Sequence, residues 1–280
     1  MLFGVFLAIS VLTAVGICAG TGAFDALGWL WMLPVSCVGT FLALLVLFFL
    51  LMLVMAAAVK MDKPQEKDSA FYRAVVMCMI HLVVPLLRIR IVEKGMEQAP
   101  KSGRFLLVCN HLHEIDPVVL LRAFPKSRLA FISKREVDNM FLVGKFLHKM
   151  LGQPINREND REALKTILNC IKILDEDKAS VAVFPEGGIR GGHVLHPLRN
   201  GVFKIAQRAK VPVVVCTLRD THTVLKKALK LQPSQVELRL VGVIGVDQIA
   251  GKTAVQIGDM VYKMMADDLG PELVLRQQDT

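Results

Sequence analysis

The first 59 residues contain no Lys or Arg and a single acidic residue, Asp25. No other feature limits the possible folds of the chain so sharply. Met1 to Ala19 is apolar throughout and Trp29 to Val59 nearly so, with a Gly- and Thr-bearing break from Gly20 to Gly28 between them. The second run exceeds the roughly 20 residues that cross a bilayer core. A secretory leader begins with basic residues, and this start has none. Residues 1–59 are therefore expected to be an uncleaved membrane anchor of two apolar helices. Lys60, Lys63 and Lys67 come directly after it and Arg73 soon after. Positive flanks stay cytoplasmic, so the chain from Lys60 onward is expected on the cytoplasmic side. Pro34 and the short first run leave a hairpin dipping into one leaflet open beside two full crossings. Trp29 and Trp31 suit an interfacial belt or plain lipid-facing bulk.

Residues 61–69 are polar and contain Pro64, which marks a linker. Phe71 to Leu87 is apolar again, but holds Arg73 and His81 and is followed by Arg88 and Arg90. That pattern predicts a helix in the membrane interface, or else a core helix of the domain beyond. The chain thus divides into an anchor (1–59), a linker with an interfacial helix (60–90) and a C-terminal domain (91–280).

All 34 basic residues and 24 of the 25 acidic ones lie in 60–280, which carries a net +10. A basic domain beside a greasy segment suits anionic neighbours such as a lipid surface, phosphorylated substrates or an acidic carrier. Nucleic acid is disfavoured, because no basic run is interleaved with aromatics and only two Tyr occur. Six scattered cysteines (18, 37, 78, 109, 170 and 216) form no CxxC pair and are expected to be small buried hydrophobes in a reducing compartment.

From about residue 90 onward, short apolar runs alternate with helical patterns. Phe105 to Cys109, Leu129 to Ile132, Val181 to Phe184, Val211 to Thr217 and Val236 to Ile244 are predicted strands. Arg161 to Leu174, Gly201 to Lys210 and Ala254 to Asp267 are predicted helices. Such alternation predicts an α/β fold, with a mixed, mostly parallel sheet flanked by helices.

The chemistry concentrates in three stretches. The first, Asn110 to Pro117 (NHLHEIDP), directly succeeds the Phe105–Cys109 run, in a strand-to-helix turn where α/β folds place reacting groups. His111 and Asp116 are five apart, about 140° beyond one full helical turn, so they cooperate only if the residues between them form a loop. A neutral imidazole can then take a proton from an alcohol while the carboxylate fixes its tautomer. Alternatively, Asp116 before Pro117 is simply a helix start. The second stretch, Phe184 to Gly192 (FPEGGIRGG), also ends a strand; its glycines permit close approach to a phosphate, and Arg190 can pair with one. A bare turn is the plainer reading. In the third, Gly152 to Arg157, Arg157 precedes a helix N-terminus, where a cation is disfavoured unless it binds an anion or is simply solvated.

In order and spacing, N-H-x4-D at 110–116, G-x4-R at 152–157, F-P-E-G at 184–187 and V-P-V at 211–213 resemble the glycerolipid acyltransferase family, which includes the 1-acylglycerol-3-phosphate O-acyltransferases. The resemblance spans about residues 75–245. It implies that His111 is a general base and Asp116 its partner. It also implies that Arg157 and the Glu186-Gly187 loop, with Arg190, bind the head group of a lysophospholipid acceptor, and that the donor is acyl-CoA or acyl-carrier protein. No metal and no other cofactor is implied. Two positions depart from the family pattern. Gly188 and Ile189 stand where the family usually has Thr and Arg, which brings Arg190 one position late, and His113 stands where it often has Ser. A competing reading takes H-x-H-x2-D as the start of a zinc hydrolase site, with His148, His193, His196 or His222 as further ligands. A third takes the chain as a non-enzymatic membrane scaffold.

Overall fold

The computed structural model describes residues 2–275; Met1 and 276–280, the outer ends of the expected anchor and domain, lie outside the described residues. The chain opens with α1 (Leu2–Gly20) and α2 (Trp29–Ala57), both long and apolar enough to cross a membrane. Only Met52, Met55 and Ala56 of α2 are buried, all near its C-terminal end, so most of its apolar surface has no protein cover. Helix α1 buries Phe6, Ser10, Ala14 and Cys18 along one stripe, and the Phe6 ring lies 6.2 Å from that of Phe48.

Helix α3 (Ala70–Leu86) is capped by Ser69, whose side chain accepts the Tyr72 N–H, satisfying one of the donors a helix start leaves free. Of its two predicted settings, it takes that of a core helix on one face. Val76 and Ile80 pack into the domain interior, and Tyr72 Oη donates to Met55 O at 3.1 Å, joining α3 to the end of α2. Phe71 and Cys78 remain exposed. Cys78 therefore departs from the expectation that all six cysteines are buried, and Cys37 on α2 is only half-buried. Both stand on apolar helices whose outer faces no protein covers.

The domain then runs β1 (Ile89–Lys94), β2 (Leu106–Cys109), α4 (Asp116–Ala123), β3 (Leu129–Lys134), α5 (Arg135–Asp138), α6 (Val143–Lys149), β4 (Gln153–Ile155), α7 (Asp160–Asp175) and β5 (Ser180–Val183). It continues through α8 (Lys204–Ala209), β6 (Val213–Arg219), α9 (Val224–Leu229), β7 (Ser234–Ile244), α10 (Val246–Ile249) and α11 (Ala254–Leu269). Among the described residues seven strands form one sheet, in the order β1-β7-β6-β2-β5-β3-β4. The five strands β2 to β6 run parallel; β7 is antiparallel to β6, and β1 is parallel to β7. The sheet is mixed and mostly parallel, as the alternating sequence predicts.

Strand side chains alternate between faces, and β2 shows the result. Leu107 and Cys109 enter the core beneath α3 and α4, while Leu106 and Val108 enter the core beneath α7 and α11. With both faces covered, β2 and β5 are buried at every position, which accounts for their uninterrupted apolar sequence. All five parallel strands end at one edge of the sheet. The stretches at 110–117 and 184–192, and residues 156–157 of the third, each lie at one of those ends.

Candidate active site

At the end of β2, Asn110 is buried and locks the strand to its neighbour. Its Nδ2 donates to Leu218 O at 3.0 Å, and its Oδ1 accepts Leu218 N–H at 2.7 Å. The chain then turns through 111–115 before α4 begins at Asp116. Pro117 sits in the first turn, where a missing N–H costs nothing. Asp116 is thus both a helix start and a partner of His111, since the short loop brings the two together.

Asp116 is fully buried, and its Oδ2 accepts three donors: the His111 ring at 2.8 Å, Leu112 N–H at 2.6 Å and His113 N–H at 2.9 Å. A carboxylate with two backbone amides cannot itself donate, so His111 Nδ1 carries the hydrogen of that bond. Nε2 is then left with its lone pair free. The His111 ring stacks on Phe184 at 4.1 Å with 15° between planes, so the β5 end fixes the plane of the imidazole.

Glu186, expected at the head group, faces backbone N–H groups. It is 1% exposed, and both carboxylate oxygens are occupied by backbone. Oε1 accepts His111 N–H at 2.7 Å and Oε2 accepts His196 N–H at 2.9 Å. Burial raises its pKa above the usual carboxylate range, opposed by those two hydrogen bonds. Glu186 therefore ties the His111 loop to the loop after β5.

Gly187 has φ +87°, a conformation that favours glycine. A methyl group there would sit 2.6 Å from Arg199 Nε and 3.6 Å from Arg157 Nη1, and one at Gly188 would sit 3.5 Å from the same Nη1. The two glycines thus let two guanidinium groups close over the loop. Burial lowers the pKa of Arg157, and the charges of Arg199 and Arg190 lower it further, against the opposing effect of Glu136. Cations gathered this way repel one another unless an anion joins them. Arg190 itself is exposed at the rim. Arg199 was not singled out from the sequence. One signal for it was present: residues 187–219 hold six Lys or Arg and no acidic residue.

The zinc arrangement does not form. Asp116 Oδ2 is saturated by donors, and His113 Nδ1 accepts Ile115 N–H. His193 and His222 stack face to face at 3.8 Å instead of converging on a point, and His196 Nε2 turns to Gly191 O. Among the described residues no group of three His, Cys, Asp or Glu is placed to hold a metal. Cys109, beneath the His111 loop, is fully buried. Desolvation first, then Cys216 and the carboxylates of Asp116 and Glu186, push its thiol pKa up, so it offers no thiolate nucleophile. Beside the loop lies a cavity of about 160 Å³ lined by Asn110, Leu112, His193, Leu218 and His222.

Residues 90–219 match the Acyltransferase family. Over 178 residues the chain is 28% identical to a protein of Mycoplasma pneumoniae named "Probable 1-acyl-sn-glycerol-3-phosphate acyltransferase", covering 62% of this chain and 64% of that one. A 1-acyl-sn-glycerol-3-phosphate acyltransferase of Bacillus subtilis is 30% identical over 118 residues, covering 42% and 57%. One of Cocos nucifera is 25% identical over 169 residues, covering 60% and 54%. The chain spans less than two thirds of the length of each of these relatives. In fold it is similar to the crystal structure of the 1-acyl-sn-glycerophosphate (LPA) acyltransferase of Thermotoga maritima. That match has a TM-score of 0.57 at 17% identity and covers 80% of this chain and 87% of that one.

Proposed function

We propose that this chain, whose residues 90–219 match the Acyltransferase family, moves a fatty acyl group from a thioester donor to the free hydroxyl of a lysophospholipid. The acceptor we favour is 1-acylglycerol-3-phosphate, the product phosphatidic acid, and the donor acyl-CoA or acyl-carrier protein. The observation that carries the reading is the 2.8 Å bond from His111 Nδ1 to Asp116 Oδ2, which leaves Nε2 as a base. The acceptor hydroxyl gives its proton to Nε2 as its oxygen attacks the thioester carbonyl. Asp116 stabilises the imidazolium. Collapse of the tetrahedral adduct breaks the C–S bond, and the proton on Nε2 passes to the departing thiolate. The alcohol is the nucleophile, so no acyl-enzyme is required. Arg157 and Arg199, closed over Gly187, hold the acceptor phosphate, with Arg190 at the rim.

The same reading assigns residues 1–59 to an anchor, 60–90 to a linker and helix, and the rest to the catalytic domain, facing the cytoplasm behind Lys60, Lys63 and Lys67. The direct test incubates the purified full-length protein with labelled acyl-CoA or acyl-carrier protein and a panel of lysolipids, and separates the products. Labelled phosphatidic acid from lysophosphatidic acid is the expected result. Acylation confined to phosphate-free acceptors would overturn the head-group assignment, and no acylation of any acceptor by either donor would overturn the activity.

A further inference from the structure

The strand order places the Arg157–Gly187 cluster and the cavity on opposite sides of His111. Arg157 follows β4 and Gly187 follows β5, both on the β5 side of β2. The cavity of about 160 Å³ lies on the other side, between Asn110 and Leu112 after β2 and Leu218 and Arg219 of β6. The loop after β5 crosses over to close it with His193 and Leu195, and the end of α11 adds Leu269. Well-packed interiors leave few voids larger than a water molecule, and a space of ~150 Å³ holds a benzene ring.

The lining is divided. Leu112, Leu195, Leu218 and Leu269 are buried and apolar. Arg219 and His222 form a polar wall, and each holds a buried nitrogen without a hydrogen-bond partner, Arg219 Nε and His222 Nδ1. Buried polar atoms of this kind are costly unless a partner arrives. An anion is not the partner this wall calls for. Arg219 Nη2 donates to Asp268 O, and Asp268 Oδ2 lies 3.7 Å away, so the guanidinium charge is already opposed within the protein. Burial, then the charge of His193, lowers the pKa of His222 against the effect of Asp220, which keeps the ring neutral. Apolar walls with one free donor and one free neutral imidazole nitrogen suit an uncharged group that alternates methylenes with an amide.

The donor carries such a group. Coenzyme A and acyl-carrier protein present their thioester on the same pantetheine arm, whose amides are separated by methylenes. We propose that the cavity holds the inner end of that arm. Its methylenes lie among the four leucines, Arg219 Nε donates to the first amide carbonyl, and His222 Nδ1 accepts the amide N–H. The assignment rests on the proposed acyl transfer and deepens it: the donor reaches His111 from the β6 side, while the acceptor phosphate is held on the β5 side.

The kinetic test alters the cavity in the full-length enzyme. Leu273→Trp puts an indole into it without removing the backbone bond from Leu195 N–H to Leu273 O, and His222→Phe removes the acceptor nitrogen. Each should raise the donor KM about tenfold and leave the acceptor KM unchanged. The rise should appear with acyl-CoA, with acyl-carrier protein and with S-acyl-pantetheine, wherever the enzyme accepts them. The wild-type kcat/KM for the first two identifies the source of the arm. A rise for acyl-CoA or acyl-carrier protein without one for S-acyl-pantetheine would place the effect outside the arm and overturn the proposal. A rise in acceptor KM, or an unchanged donor KM in both variants, would overturn it too.

A second measurement needs no turnover. His193 is exposed at the mouth of the cavity. In detergent-solubilised His193→Cys protein, modification of the new thiol by a methanethiosulfonate is followed by mass spectrometry of its peptide. Millimolar S-butylpantetheine, a thioether with no acyl group to transfer, should slow it several-fold, and should cease to do so once Leu273→Trp is added. Unslowed modification would overturn the arm site even in an enzyme that acylates lysophosphatidic acid. Slowed modification in a protein that acylates nothing would support the site and overturn the proposed reaction.

Discussion

At the scale of single residues, function turns on how few groups are free to act. Asp116 Oδ2 is occupied by His111 and two backbone amides, and Glu186 by two more, and the proposed mechanism takes His111 Nε2 as its base. His111→Ala should lower kcat by about 10²–10⁴-fold with little change in acceptor KM. Asp116→Ala should fall nearly as far, and the double variant little further, because the two act as a unit. His113→Ala should retain substantial activity; steady-state kinetics of the four proteins decide the point, and a dead His113 variant beside an active His111 variant would refute the mechanism. Arg157→Ala removes a charge-assisted contact worth about 1.5–3 kcal/mol, so acceptor KM should rise about 10- to 150-fold. Arg199→Ala should act in the same sense, and an unchanged acceptor KM in both would locate the phosphate elsewhere. The His111–Asp116 pair was legible because spacing and chemistry agreed. For Glu186, a motif records that a carboxylate is needed without recording which way it faces. Here burial turns it onto backbone N–H groups.

At the scale of elements, the long strands and helices were legible where sequence alone enforces a period or an apolar run, as in β2, β5 and α7. The short pieces were not. Strand β4 is three residues with Pro154 in the middle, held by pairing with β3, and α5 is a single turn. Tertiary contact makes such elements, not local propensity. The loop after β5 depends on its glycines in a way the motif did not reveal. Gly187→Ala would strain a φ of +87° and drive a methyl group into Arg199 Nε. Its acceptor KM should therefore rise as it does in Arg199→Ala, while Gly191→Ala, where an added methyl meets nothing within 4 Å, should be silent. Equal kinetics for the two glycine variants would show that the close approach at Gly187 is not needed. The capping box of α11 is a control for pure stability. Thr253→Ala loses the bond to Gln256 N–H and should lower the unfolding free energy by about 0.5–2 kcal/mol with kcat unchanged.

At the scale of the whole molecule, the question is what holds a net-basic domain at the lipid substrate proposed for it. Electrostatic attraction alone would be released by salt, since charges at a surface are screened within about 10 Å at 0.1 M. The N-terminal segment supplies something salt does not touch. Helix α2 spans 29 residues, about 43 Å at 1.5 Å per residue against a hydrocarbon core of about 30 Å. More than half of its side chains are exposed, Leu42, Leu47, Leu50 and Val54 among them. Apolar surface of this extent is stable in lipid and not in water. The full-length protein should therefore stay in the membrane fraction through high-salt and alkaline-carbonate washes and be released by detergent. Release of intact protein by carbonate would refute the anchor. A chain lacking residues 1–59 gives the sharper comparison, provided it is isolated folded. Held only by its basic edge, it should bind anionic vesicles at low salt and leave them as salt rises. The full chain should stay bound throughout. If both forms dissociate at the same salt concentration, the apolar helices contribute nothing to attachment, and the basic surface is the whole of it.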